Sequence, residues 1–224
     1  NDIFEVKNKL LENNLLEKDK YIYEVEVAWG DSKEKINTTK KHNLLVTSPP
    51  YGDNHTTVTY GQFSYLPLQW IPVVDIDESI TMNYLDVIQE IDSRSLGGKN
   101  VSDYSVIEKD MFSKSKTLKK FFRNFNSEER IRARKVVSFI NDLDITIDNV
   151  LEKMMPNSYF AWTVGNRNVN NKEVENDKIL TELLATKGIN IFTDLERDIL
   201  SKRMPDKNNF SKTMSKEKIL IYNS

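Results

Sequence analysis

Two hydrogen-bond acceptors, two prolines and an aromatic ring stand together in Thr47-Ser48-Pro49-Pro50-Tyr51-Gly52-Asp53-Asn54. The Ser48 hydroxyl and the Pro49 carbonyl can each accept a bond from an N–H group. Pro49 and Pro50 stiffen the backbone, so these acceptors need not reorganise during a reaction. Tyr51 adds a flat face on which a planar group can stack. An amine conjugated to a ring is a poor nucleophile. Acceptors held on both of its N–H groups draw the nitrogen toward tetrahedral geometry and free its lone pair for in-line attack, which is electrostatic preorganisation.

The elements that must hold this turn are legible on either side of it. Leu44-Leu45-Val46 reads as a buried strand over 43–47, ended by prolines that donate no N–H to a ladder. Upstream, Ile3, Val6, Leu10, Leu11, Leu15 and Leu16 make a helical stripe across residues 1–20, which Asp2 can cap. Residues 21–29 alternate β-branched or aromatic with polar residues and predict a strand, closed by Gly30-Asp31-Ser32. A short helical piece and a polar loop follow. Downstream, 55–72 is aromatic and irregular, and 73–113 is mixed, with a turn at Gly97-Gly98. Residues 114–155 form one long or broken helical region with Val136, Val137, Ile140, Leu143, Ile147, Val150, Leu151 and Met154 on its apolar face. Tyr159–Val164 predicts a second buried strand, broken by Gly165-Asn166-Arg167. Residues 173–187 predict a helix capped by Gly188, and 189–193 and 218–222 predict strands. This alternation argues for an α/β fold with a largely parallel sheet.

Composition narrows the chemistry. The 224 residues suffice for one sizeable core. A formal net charge of −2 excludes a uniformly basic coat, so any polyanion-binding surface must be local. The absence of cysteine removes disulfides, thiolate metal sites and thiolate nucleophiles. His42 and His55 are isolated from cysteines and carboxylate clusters and do not suggest a metal site. No apolar run approaches the ~20 residues of a membrane span, and no secretory signal opens the sequence. A cytoplasmic protein is expected.

Ser48-Pro49-Pro50-Tyr51, following a strand, resembles motif IV of the DNA amino-methyltransferases. The resemblance extends over most of the chain: 21–32 is similar to the family's motif III, and 159–167 and 188–222 to later core strands. It implies a partial class I, Rossmann-like, S-adenosylmethionine-dependent methyltransferase sheet, mainly parallel with an antiparallel closing strand. The implied reaction is transfer of a methyl group to an exocyclic amine of a base flipped out of DNA, commonly within restriction-modification. Ser48, Pro49, Pro50 and Tyr51 are then the catalytic residues, and Asp31 and Ser32 lie at the cofactor. Serine at the first position favours cytosine N4 over adenine N6. RNA as substrate, and a catalytically inactive scaffold subunit, remain alternatives.

The family's motif I, Phe-x-Gly-x-Gly after a strand, is absent from residues 1–224. The expectation is one catalytic domain incomplete at its N-terminus, with the motif I half removed or supplied as a separate partner. Residues 72–135 are longer than a simple crossover needs and are read as an insertion or target-recognition segment. Within it and just beyond, Lys116, Lys119, Lys120, Arg123, Arg130 and Arg134 are candidates for DNA phosphate contacts, a solvated helix face being the alternative.

Overall fold

The computed structural model describes residues 2–18, 20–27, 30–57, 59–72, 75, 90, 92–198 and 216–224. The chain divides into two units, Asn1–Asp31 and Ser32–Ser224.

In the first unit, helix α1 (Asp2–Glu12) carries Asp2 and Glu5 in its first turn and Lys9 in its last, and buries no residue. Asp2 lies inside the helix rather than capping it. Strands β1 (Leu16–Glu17) and β2 (Lys20–Tyr21) pair antiparallel, so the helical stripe expected through Leu16 stops at Glu12. The strand expected over 21–29 does not form: only Tyr21 is extended and paired, and 22–27 carry no regular structure, while 28–29 lie outside the described residues. Alternation is present there, but strand propensity reflects packing against neighbours. The β1–β2 ladder ends at Tyr21, and Tyr23, Val25 and Val27 are exposed.

The second unit begins with strand β3 (His42–Thr47). After the Pro-Pro turn come a 3-10 turn at Asn54–Thr56 and helices α2 (Tyr60–Leu68), α3 (Tyr104–Lys114), α4 (Lys116–Phe121) and α5 (Ser127–Leu151). Strand β4 (Met154–Val164) follows, then the β5–β6 hairpin (Arg167–Val169, Lys172–Val174), α6 (Asn176–Thr186), β7 (Asn190–Asp198) and β8 (Lys216–Asn223). Residues 173–174, expected in a helix, belong to the hairpin. Helix α2 occupies much of the stretch expected to be irregular. The short helix expected after residue 32 is a turn.

The main sheet has the order β3-β4-β8-β7. Only β3 and β4 are parallel; β4–β8 and β8–β7 are antiparallel. The sheet is therefore mixed rather than mainly parallel, because β8 enters between β4 and β7 from the opposite direction. One face bears Phe160, Trp162, Val164, Leu220 and Tyr222, all buried with Val137, Ile140 and Ile147 of α5 and Ile179, Leu180 and Leu183 of α6. Each fully buried side chain of this size contributes roughly 1.5–3 kcal/mol. The other face exposes Leu44, Val46 and Tyr159. Leu44-Leu45-Val46 is a strand as expected but is not buried: it is an edge strand among the described residues, and only Leu45 packs against the core.

Helix α5 sets the direction of the whole arrangement. It opens with a capping box in which Asn126 and Glu129 satisfy each other's backbone N–H groups, and its last residues feed into β4. The His42 N–H donates to the Lys153 carbonyl at 2.8 Å, joining the start of β3 to the end of α5. Asn170 of the hairpin beyond β4 donates to the Glu129 carbonyl at 2.9 Å. Helix α5 thus runs antiparallel to β3 and β4, and its N-terminus lies at the end where both strands finish. The Gly97-Gly98 turn rests on its flank. Gly97 has φ +71° and donates its N–H to Asp142 at 2.9 Å. No helix among the described residues is long and apolar enough to cross a membrane.

Candidate active site

The last ladder pair of β3, Thr47 with Trp162, delivers the chain into Ser48-Pro49-Pro50-Tyr51 at the C-terminal end of the strand. Ser48 is exposed, Pro49, Pro50 and Tyr51 are half-buried, and Gly52, Asp53 and Asn54 are buried. The turn therefore begins at the surface with Ser48, while its following residues are sunk into the protein.

Three contacts fix it from behind. Asn176, at the start of α6, donates through Nδ2 to the Tyr51 carbonyl and to the Gly165 carbonyl, both at 2.8 Å. This single amide ties the end of β3 to the end of β4. Arg167, opening β5, reaches Asp53 Oδ2 at 3.3 and 3.4 Å. Asp53 is wholly buried and the Arg167 side chain is only 11% exposed, so the pair is an internal one. Burial pulls the guanidinium below its ordinary pKa, against the opposing effect of Asp53. Thr57 Oγ1 donates to the Asp53 carbonyl at 2.7 Å, closing the 3-10 turn.

The fourth contact acts on the ring. The Tyr51 hydroxyl donates to Glu217 Oε1 of β8 at 2.6 Å. Glu217 Oε2 in turn accepts from Arg197 Nη2 and Nε at 2.7 and 2.9 Å. Burial, with the Glu217 hydrogen bond and charge behind it, pushes the Tyr51 hydroxyl up to about 12, while a Ser48 hydrogen bond acts the other way. The Glu217 carboxyl is held below its usual range, first by the Tyr51 hydroxyl and then by Arg197. Tyr51 is thus a neutral donor pinned at its far end, with its ring direction set by β8. Lys218, next along β8, pairs at 2.6 Å with Asp177 of α6, whose backbone N–H donates to Asn166 Oδ1 at 3.2 Å.

Ser48, Pro49, Pro50 and Tyr51 are brought together as expected of one turn. Ser32 is not brought to them. Its hydroxyl lies 3.3 Å from Thr146 Oγ1 and its carbonyl accepts from Asn149 at 3.1 Å. Both partners belong to the last third of α5, about 25–35 Å along the helix from its N-terminal end. Asp31 belongs to the N-terminal unit. Neither Gly52 nor Gly165 begins a glycine-rich turn. Ser32 thus lies beside the C-terminal part of α5, away from the Ser48–Tyr51 turn. His55, which carried no expected role, sits 3.3 Å from Ser93 Oγ.

Among the basic candidates, Lys116, Lys119, Lys120, Arg123 and Arg130 line one cleft beside Phe112. Arg134 does not line it: its guanidinium stacks 4.9 Å from the Tyr104 ring centroid. Glu217, Asn176, Asp53 and Arg167 are the positioning residues that the sequence did not single out. Asp53 adjoins the motif and Arg167 ends the Gly-Asn-Arg break, so both stand where two neighbouring parallel strands finish. That coincidence was the available signal. Glu217 had none, since it lies far along the chain and reaches the turn only through β8.

No protein-family model matches the sequence, and no solved structure matches it. Over 188 residues the chain is 38% identical to the Type II methyltransferase M.MvaI of Kocuria varians, covering 80% of this chain and 39% of that protein. The chain thus spans well under half the length of the curated relative it matches.

Proposed function

We propose that this chain belongs with the DNA amino-methyltransferases and supplies the part of such an enzyme that receives the target base, within a restriction-modification system. The observation that carries the reading is the Ser48–Tyr51 turn at the end of β3, with Ser48 exposed and the backbone anchored by Asn176 and the Arg167–Asp53 pair. The similarity to a Type II methyltransferase supports it independently. A base extruded from the duplex stacks on Tyr51. The Ser48 hydroxyl and Pro49 carbonyl accept its two amine N–H bonds, so the nitrogen's lone pair turns out of conjugation and faces the methyl donor. S-adenosylmethionine supplies the methyl group in this class of enzyme. Strands β3 and β4 ending together, with α5 crossing back between them, are consistent with part of a class I Rossmann-like sheet. Serine at position 48 favours cytosine N4 over adenine N6 as the acceptor.

Single-turnover transfer of labelled methyl groups from S-adenosylmethionine to target DNA, in an assembly that also carries the motif I half, tests the reading, with melting curves as the folding control. Ser48→Ala is expected to lower transfer by about 10²–10³, and Tyr51→Ala, which removes a stacking face worth roughly 1–3 kcal/mol, by about 5–150-fold, each beyond what any loss of folded protein accounts for. Nucleoside mass spectrometry of the product identifies the base, with N4-methylcytosine expected. A folded Tyr51→Ala variant that transfers at the wild-type rate makes the turn structural and removes the proposal.

A further inference from the structure

Lys116, Lys119, Lys120 and Arg123 follow one another at i, i+3, i+4 and i+7, and therefore share one face of α4 and its continuation. The opposite face holds Leu118, Phe121 and Phe122, all buried, so the helix is anchored by its apolar side and offers its cations outward. Arg130 of α5 joins them, and with Phe112 of α3 they line a cleft of about 550 Å³. Arg130 is paired with Glu108 at 2.9 Å. The side chains of the other four make no ion pair or hydrogen bond among the described residues. Glu182 of α6, which packs at the start of α4, is already committed there, where it accepts from the Thr117 N–H at 3.1 Å and from its hydroxyl at 2.9 Å.

Four uncompensated cations on one helix face repel one another. Such a cluster costs stability where it stands alone, and an incoming polyanion relieves it. Placement supplies the second argument. The cleft lies beside the N-terminal end of α5, which is the end of the sheet where β3 delivers the Ser48–Tyr51 turn and β4 passes into the hairpin. Lys172 of that hairpin donates to the Phe121 and Lys120 carbonyls, the latter at 3.2 Å, and so fixes the α4–α5 connection to the same end.

We propose that this cleft grips the sugar–phosphate backbone of duplex DNA, without regard to sequence, on the side of the molecule where the base is received. The proposal rests on the methyltransferase reading for the identity of the polyanion, but its geometry does not depend on it. Binding to phosphates releases condensed counterions, so log K falls with log[salt] at a slope of about −0.9 per phosphate neutralised.

The experiment is fluorescence anisotropy of a labelled duplex of arbitrary sequence, titrated with the 224-residue chain at several KCl concentrations. The wild-type chain is expected to bind with a steep negative slope. Lys119→Ala/Lys120→Ala/Arg123→Ala is expected to weaken binding at low salt by more than tenfold and to flatten the slope by about 2–3, equally for unrelated duplexes. The milder Lys119→Gln/Arg123→Gln pair, with these exposed side chains kept at similar size, is expected to flatten it by about 2 and guards against misfolding of the triple variant. Lys9→Ala in α1, which removes a cation paired with Glu5, is expected to leave the slope as in the wild type. Absence of duplex binding by the wild-type chain, or an unchanged slope in both cleft variants, overturns the proposal. Methyl transfer is read separately, on an assembly that includes the motif I half. A lost slope in a protein that transfers no methyl group leaves the cleft standing and sinks the enzyme reading; an unchanged slope in a protein that does transfer has the reverse meaning.

Discussion

Replacing Gly52 with alanine tests how the turn is held. Gly52 does not occupy the left-handed region, so space alone decides the outcome. A Cβ there would stand 2.7 Å from Arg167 Nε, and Cζ and Nη1 would be closer still. The guanidinium must move, and moving it takes it from Asp53, whose carboxylate is wholly buried. Breaking a buried ion pair by displacing one member costs about 3–5 kcal/mol, chiefly because the remaining charge stays out of water. For a domain of this size that is a fall in melting temperature of about 6–20 °C. Equilibrium urea unfolding supplies the free energy. Arg167→Met removes the obstructing atoms and the ion pair together, so Gly52→Ala added to it should cost less than about 1 kcal/mol, and the two changes should be strongly non-additive. If Gly52→Ala alone is within about 0.5 kcal/mol of the wild type, or the two costs simply sum, the pair does not clamp the turn as described.

Gly97→Ala should destabilise by about 2–4 kcal/mol, because its φ is left-handed and its Cβ would lie 2.7–2.9 Å from Phe139 Cβ, Cα and N, on α5 backbone that cannot yield; urea unfolding measures it, and a loss below about 1 kcal/mol contradicts the packing. Tyrosinate absorbance should show a tyrosine titrating at about 12 that disappears in Tyr51→Phe and moves toward its ordinary value of 10.0 in Glu217→Gln. Since this pKa is raised by folding, the stability linked to it is intact below pH 10 and lost as pH rises through about 12. Glu217 has the opposite sign: its depressed pKa means that its contribution is present above the ordinary glutamate value and lost as pH falls through the folded one. Acid unfolding of Glu217→Gln should therefore show a shallower loss of stability than the wild type below pH 4.5.

Local chemistry was legible without coordinates. Two prolines after an apolar run end a strand wherever they occur, so Ser48–Tyr51 could be placed at a strand terminus from the sequence. The apolar spacing of Val136, Val137, Ile140, Leu143 and Ile147 likewise specified the buried face of α5. Gly188, at φ +80°, ends α6 as its position implied. These features depend on neighbours in the chain, and the chain prints its neighbours. Strand pairing does not. Residues 22–27 have the alternation of a strand yet take no regular structure, because a strand needs a second backbone at the right distance along its whole length. Leu44 and Val46 have the composition of a core strand and are exposed, because burial needs a covering layer. The direction of β8 between β4 and β7 could not be read from its own residues, and it changed the sheet from mainly parallel to mixed. The same holds at the site. Sequence proximity assembled the acceptors and the ring, whereas Asn176, Arg167 and Glu217 stand 125, 114 and 166 residues from their partners. Only the tertiary fold could bring them to the turn, since hydrogen bonds and ion pairs act over a few ångströms of space irrespective of the length of chain between them.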